Sequence, residues 1–380
     1  MKNAKWADKK ENNKMKKIRY AVVGLGHIAQ VAVLPGFKES PHSELVALVS
    51  GSSKKLKELS KKYKVERSYD YDDYDECLKS GKIDAVYIAL PNHLHESYAV
   101  RAAEAGIHVL CEKPIEVSSQ ASERMIRAAR KNRVKLMIAY RLHFDPATLK
   151  AIQIANSGKI GDLRYFTSEF GYQLRTANIR MMPEEGGGPL NDIGIYCINA
   201  VRNLFRSEPT EVYAIASSPD KRFAGMHETV TAVLRFPQGK MATFTCSFGS
   251  APISRYRIVG TRGDLSMDNA YEYVGKMKQI LTVDEKKREW TYKAGDQFSA
   301  EIEYFSNCVR KNKDPEPSGQ HAIADVKIIE ALYRSIEKGS PISMKGKVTK
   351  PKTYPKMRLK IKKPAHREPK LVGVEQPSRG

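Results

Sequence analysis

Ile18-Arg19-Tyr20-Ala21-Val22-Val23-Gly24-Leu25-Gly26-His27-Ile28-Ala29 runs an apolar strand straight into a glycine turn and then into the start of a helix. In such a unit the first glycine permits a tight turn and the second lets backbone approach a pyrophosphate. The small Ala29 lets the helix pack close to the strand, and the helix N-terminus faces the anion. The pattern gains its meaning from context, and here the context repeats. Apolar runs at 18–23, 44–49, 85–90, 108–111 and 135–139 alternate with helical segments at 28–39, 54–63, 93–105 and 118–132. Alternation at this spacing predicts a doubly wound parallel sheet over residues 18–140, whose strands are continuous apolar runs because both faces are buried.

From about residue 163 the pattern changes. Strand-like runs at 163–170, 210–216, 228–236, 240–248 and 255–259 follow one another, interrupted by helices near 189–205, 300–311 and 322–337. The fold class read from this is α/β: the parallel domain first, then an α+β domain over 141–340 with an open, mostly antiparallel sheet.

Composition narrows the function classes. The 380 residues suit two domains with tails, and no apolar run reaches the ~18 residues of a membrane span. The Lys-rich stretch 1–17 lacks the apolar core of a signal peptide, which predicts a cytoplasmic protein. The formal charge of +22 resembles that of a nucleic-acid binder, but 1–17 carries +5 of it and 341–380 carries +10. A nucleic-acid partner is therefore not expected, and only these basic ends could contact polyanions. The Lys/Pro-rich tail 341–380 is expected to be disordered. Five scattered cysteines form no metal-ligand spacing and no disulfide framework.

Candidate site residues cluster after the strands. The second strand ends in Ser50-Gly51-Ser52-Ser53-Lys54-Lys55, where an acidic residue would bind the ribose hydroxyls of NAD. Hydroxyls and lysines suit a 2′-phosphate instead, so NADP is expected and NAD less so. Ala89-Leu90-Pro91-Asn92-His93-Leu94-His95 follows the next long strand and is placed to touch the nicotinamide half. Its two histidines have no partnering acid or cysteine cluster, so no metal is expected. Cys111-Glu112-Lys113-Pro114 puts Lys113 at the same sheet edge. Gly186-Gly187-Gly188-Pro189 leads into a helix where Asp192 and Tyr196 lie four apart, on one face.

The Gly-x-Gly-x-x-Ala turn, the Glu-Lys-Pro element and the Asp-x-Gly-x-Tyr helix, in this order, resemble the Gfo/Idh/MocA oxidoreductase family over about residues 18–340. The resemblance implies a Rossmann domain, a second domain that mediates assembly into a dimer or tetramer, tightly held NADP, and a sugar or polyol substrate. It makes Lys113, Asp192 and Tyr196 catalytic, with Tyr196 the proton-transferring residue. It places Gly24, Gly26, His27, Ile28, Ser50, Gly51, Ser52, Lys55, Leu90, Pro91, Asn92, His95, Glu112, Lys113 and Arg141 around the cofactor. His143 joins Lys113, Asp192 and Tyr196 at the substrate. The sequence departs from the family at Asn199, where many relatives carry an acid, and matches it weakly over 172–185. Two other readings stay open on the same motifs: a non-catalytic NAD(P)-binding sensor, and a glycosidase acting by transient oxidation.

Overall fold

The computed structural model describes residues 17–175, 179–293, 295–344 and 370–374. The strands are β1 (Ile18–Val23), β2 (Ser43–Val49), β3 (Arg67–Tyr69), β4 (Ala85–Ile88), β5 (His108–Glu112) and β6 (Leu136–Ala139). They form one sheet in the order β3-β2-β1-β4-β5-β6, with every pair parallel. The order reverses direction at β1, so β1 and β4 open a crevice at their carboxyl ends, where ligands of such sheets bind. The short β3 was not expected. Its three residues, Arg67-Ser68-Tyr69, give an edge strand too brief for a hydrophobic pattern.

The second sheet has nine strands: β7 (Leu163–Gln173), β8 (Glu211–Ser217), β9 (Thr229–Arg235), β10 (Met241–Ser247), β11 (Gly249–Gly260), β12 (Gly263–Asp268), β13 (Lys276–Val283), β14 (Lys286–Lys293) and β15 (Ile342–Ser343). Their order is β14-β13-β12-β11-β7-β10-β9-β8-β15. β10 runs parallel to β7 and the remaining pairs are antiparallel. The helices Ile195–Phe205 and Gly319–Lys338 cover one face, burying Val212, Ala214, Val230, Ala232 and Phe244. The other face is open and leaves Tyr165, Ile215, Val233 and Met241 exposed.

The two halves interlock in sequence. Helix Gln297–Arg310 follows the second sheet but packs Phe298, Ile302 and Phe305 against Tyr20, Val22 and Tyr87 of the first. The backbone N–H of Ile138 donates to the Pro317 carbonyl. The sequence boundary at 140/141 is therefore a boundary of sheets, not of cores. The basic extension and most of the tail lie outside the described residues. Residues 341–344 and 370–374 do not: Ile342–Ser343 form β15 beside β8 and Val372 is buried against the first domain, so for these nine residues the expectation of disorder is corrected.

A buried charge cluster fixes the helix of the second domain. Arg202 is 1% exposed and pairs with Glu208 at 2.5 Å and Asp325 at 2.6 Å. Asp325 also accepts from the Tyr140 hydroxyl at 2.6 Å and from Asn199 at 2.9 Å. Removing one partner of a buried pair strands the other charge. Asp325→Ala should lower unfolding stability by about 3–5 kcal/mol, measured by urea denaturation; a change within error would mean that this cluster does not hold the helix.

Candidate active site

β5 lies between β4 and β6, with Cys111 beside Ile88 and Ile138. Its last residues therefore emerge at the carboxyl edge of the sheet, and the alternation of the strand decides which way each points. Glu112 turns inward. It accepts the Tyr87 hydroxyl at 2.8 Å, and that hydroxyl also lies 3.4 Å from Glu301. Burial raises the carboxyl of Glu112 and pushes that of Glu301 well above its ordinary range.

Lys113 turns the other way, into the crevice. Its Nζ donates to the Asp192 carbonyl at 2.6 Å and to Asp192 Oδ1 at 3.0 Å. Asp192 stands on the π-type turn Leu190–Gly194, which opens the helix Ile195–Phe205. Its other oxygen accepts Arg180 Nε at 2.7 Å and the Tyr172 hydroxyl at 2.9 Å. Burial alone would raise Asp192, but Arg180 and Lys113 outweigh it and hold the carboxyl well below the usual range. Burial likewise works against the charge of Lys113, and Asp192 reverses that, so its ammonium is raised. The pair stays ionised at neutral pH.

Tyr196 completes the group. Its ring is 9% exposed and lies between two cations, Lys113 Nζ at 4.9 Å and the Arg141 guanidinium at 5.0 Å from its centroid. Arg141 is fixed from behind by Gln297 at 2.7 Å and the Tyr271 carbonyl at 2.5 Å. Both cations lie within cation–π reach of the ring.

The remaining sequence-predicted residues line the same edge. Gly24 has φ +92, and a Cβ there would fall 2.5 Å from the Ala89 carbonyl oxygen. A Cβ at Gly26 would meet nothing within 4 Å. The turn is thus tight on the β4 side and open on the other, which fits a dinucleotide phosphate against Gly26, His27 and Ile28. Ser50, Gly51 and Ser52 follow β2. Ser52 caps the helix Ser53–Tyr63 by accepting from the Lys55 backbone N–H at 3.4 Å. Leu90, Pro91 and Asn92 follow β4. Asn92 donates to the Gly186 carbonyl at 2.8 Å, and the His93 ring meets the Glu185 carbonyl at 3.1 Å. Those two contacts close the glycine-rich approach of the second domain over the first.

Two histidines sit elsewhere than the sequence suggests. His95 is fully buried between the carbonyls of Pro114 and Leu90. It ties two loops of the crevice together from behind and presents no ring atom to a ligand. His143 is 3% exposed, with Nε2 2.9 Å from Asn199, and lines a small cavity behind Tyr196. Glu112 accepts from the Tyr87 hydroxyl and from the Lys113 backbone N–H. Arg180 and Tyr172 were missed, because they sit twelve and twenty residues from Asp192 in a stretch without a motif.

Residues 18–140 match the family described as "Oxidoreductase family, NAD-binding Rossmann fold", and residues 148–266 match the "GFO/IDH/MocA C-terminal domain". This chain belongs to the Gfo/Idh/MocA oxidoreductase family. An aldose-aldose oxidoreductase from Caulobacter crescentus, solved with glycerol, shares 34% identity and superposes with a TM-score of 0.83, covering 87% of this chain and 100% of its own. A D-xylose 1-dehydrogenase [NADP(+)] from Haloarcula marismortui is 28% identical over 86% of this chain and 93% of its own length. The 3-ketoreductase KijD10 from Actinomadura kijaniata, solved with NADP and TDP-benzene, is 26% identical with a TM-score of 0.77, over 84% of this chain and 98% of its own. Membership makes residues 18–140 the NAD(P)-binding Rossmann domain of an oxidoreductase.

Burial holds His143 and His95 down to about 4, against 6.5 for a free histidine. A group with a depressed folded value stabilises the fold above its unfolded pKa, and that contribution is lost as pH falls through the folded one. Stability should therefore decline between about pH 6.5 and pH 4, and His143→Gln should flatten that decline in denaturation curves at pH 7 and pH 4.5. An unchanged slope would mean that His143 takes up no proton on unfolding.

Proposed function

We propose that this enzyme is an NADP-preferring oxidoreductase acting on a CH–OH carbon of a sugar or polyol. The observation that carries the reading is the meeting of Lys113, Asp192 and Tyr196 at the sheet edge where the nicotinamide half of a dinucleotide lies. When bound, the nicotinamide supplies or accepts the hydride. Lys113 donates a hydrogen bond to the reacting oxygen. Tyr196 takes the hydroxyl proton in oxidation and returns it in reduction, with Lys113 and Arg141 stabilising charge on its oxygen. Asp192 accepts from a neighbouring hydroxyl and so sets the sugar's orientation. Tyr172 and Arg180 hold that carboxylate in place. Closure of Asn92 on Gly186 limits water at the reacting carbon.

The preference for NADP is supported by Ser50, Ser52 and Lys55 after β2, where no acid stands to repel a 2′-phosphate. It is also supported by relatives named for NADP or solved with it. The family resemblance of the glycine turn, the Glu-Lys-Pro element and the Asp-x-Gly-x-Tyr helix supports tightly held NADP. Assembly as a dimer or tetramer through the open sheet face is supported by exposed Tyr165, Ile215, Val233 and Met241. Among the described residues no helix is long and apolar enough to cross a membrane.

The purified protein, examined by absorbance with its released nucleotide identified and then challenged with aldoses and ketoses, should hold NADP(H) that changes redox state with one sugar class. No affinity for either dinucleotide would sink the reading. Lys113→Met should lower kcat by roughly 10²–10⁴ with NADP still bound; cofactor loss would make Lys113 a binding residue instead. Tyr196→Phe should cost far more in kcat than in KM, and a near-normal kcat would remove the phenol from proton transfer.

A further inference from the structure

Gln30 has no place in the chemistry above, yet it is a polar side chain only 1% exposed inside an apolar cluster. Buried amides need partners, and the partners show what the residue is for. One amide hydrogen goes to the Leu25 carbonyl at 3.0 Å, between the two glycines of the nucleotide turn. The other goes to the Val372 carbonyl at 2.9 Å, and Gln30 Oε1 accepts the Val372 N–H at 2.8 Å. Gln30 thus pairs in both directions with backbone 342 residues away. The Val372 side chain is 7% exposed and packs into the cluster holding Leu25, Ala29 and Leu59. Gly373, at φ +59, lies along the stem of Lys55: a Cβ there would be 3.3 Å from Lys55 Cε. The segment therefore fills the groove between the helix of the glycine turn and the helix that carries Lys55. These are the elements that hold the pyrophosphate and the 2′-phosphate in the function proposed above.

We propose that residues 370–374 are a latch of the nucleotide site, seated by Gln30, which packs Lys55 toward the 2′-phosphate and so sets how tightly and how long the phosphorylated dinucleotide is held. A lysine stem pinned by backbone loses less rotamer freedom when it binds. Partial removal of its ammonium from water, seen as a lowered pKa caused by burial, strengthens its attraction to a dianion. The segment supplies the contact on the Lys55 stem, and both effects act on the phosphorylated dinucleotide alone. The inference rests on NADP being the cofactor.

Val372→Asp in the full chain places a carboxylate in the apolar cluster and should release the segment. Hydrogen exchange at Gln30 and Val372 reports the release. Fluorescence titration with NADP and with NAD, and the NADPH dissociation rate, read the consequence. NADP affinity should fall about tenfold, with faster dissociation to match, while NAD affinity and kcat at saturating NADPH change little. Release with unchanged NADP affinity, or with equal loss for both dinucleotides, would overturn the latch and leave a purely structural tail. Truncation after Pro369 removes the segment while leaving the Gln30 bond to the Leu25 carbonyl in place, and carries the same test if Val372→Asp does not fold. Wild-type protein that binds no NADP is a separate outcome, which sinks the functional reading beneath the latch.

Discussion

The ion cluster around Asp192 is the constraint on which the site depends. Its carboxylate comes from the second domain, and Lys113 comes from the edge of the first. Taking these charges out of water is costly, and the cost is offset only if each lone pair and proton finds a partner at good geometry. Lys113, Arg180 and Tyr172 supply that geometry together. A shift of one domain on the other would leave a buried carboxylate short of donors, so these charges set the register between the sheets.

The rest of the molecule supports that register from several directions. Asn92 and His93 reach the carbonyls of Gly186 and Glu185 on one side of the crevice. Helix Gln297–Arg310 returns to the first sheet and positions Gln297 behind Arg141. Arg202 and Asp325 lock the Tyr196 helix to the closing helix. Tyr196 is therefore approached by two cations whose own places are fixed by backbone and buried amides. Its surroundings are set by parts of the chain that lie outside the crevice.

Much of the first domain was legible in order. Residues 18–23 and the glycine turn identify the unit because the purpose of each residue there is local: a positive φ, a close approach, a small side chain against a strand. The second sheet was only partly legible. β12, β13 and β14 went unread because they lie toward one edge with one face in water, and Lys286–Lys293 carries exposed charge at most positions. Lys113, Asp192 and Tyr196 lie together in the structure, and each follows a local element recognisable in the sequence. The burial of His95 and His143 was not legible, since a histidine in a crevice loop and one folded back beneath it look the same in sequence.

By itself the sequence determined the architecture of the parallel domain and the edge at which the glycine turn, the Leu90-Pro91-Asn92 loop and Lys113 come together. Those follow from chain geometry within a few residues: strand alternation, helix period and the conformational freedom of glycine. Only the tertiary structure decided that Arg180 and Tyr172 hold Asp192, that Glu112 faces Glu301 rather than the crevice, and that Val372 returns to Gln30. These are pairings between segments that carry no mark of one another. They exist because buried polar groups must be satisfied, and the partner is whatever the completed fold brings within hydrogen-bond reach.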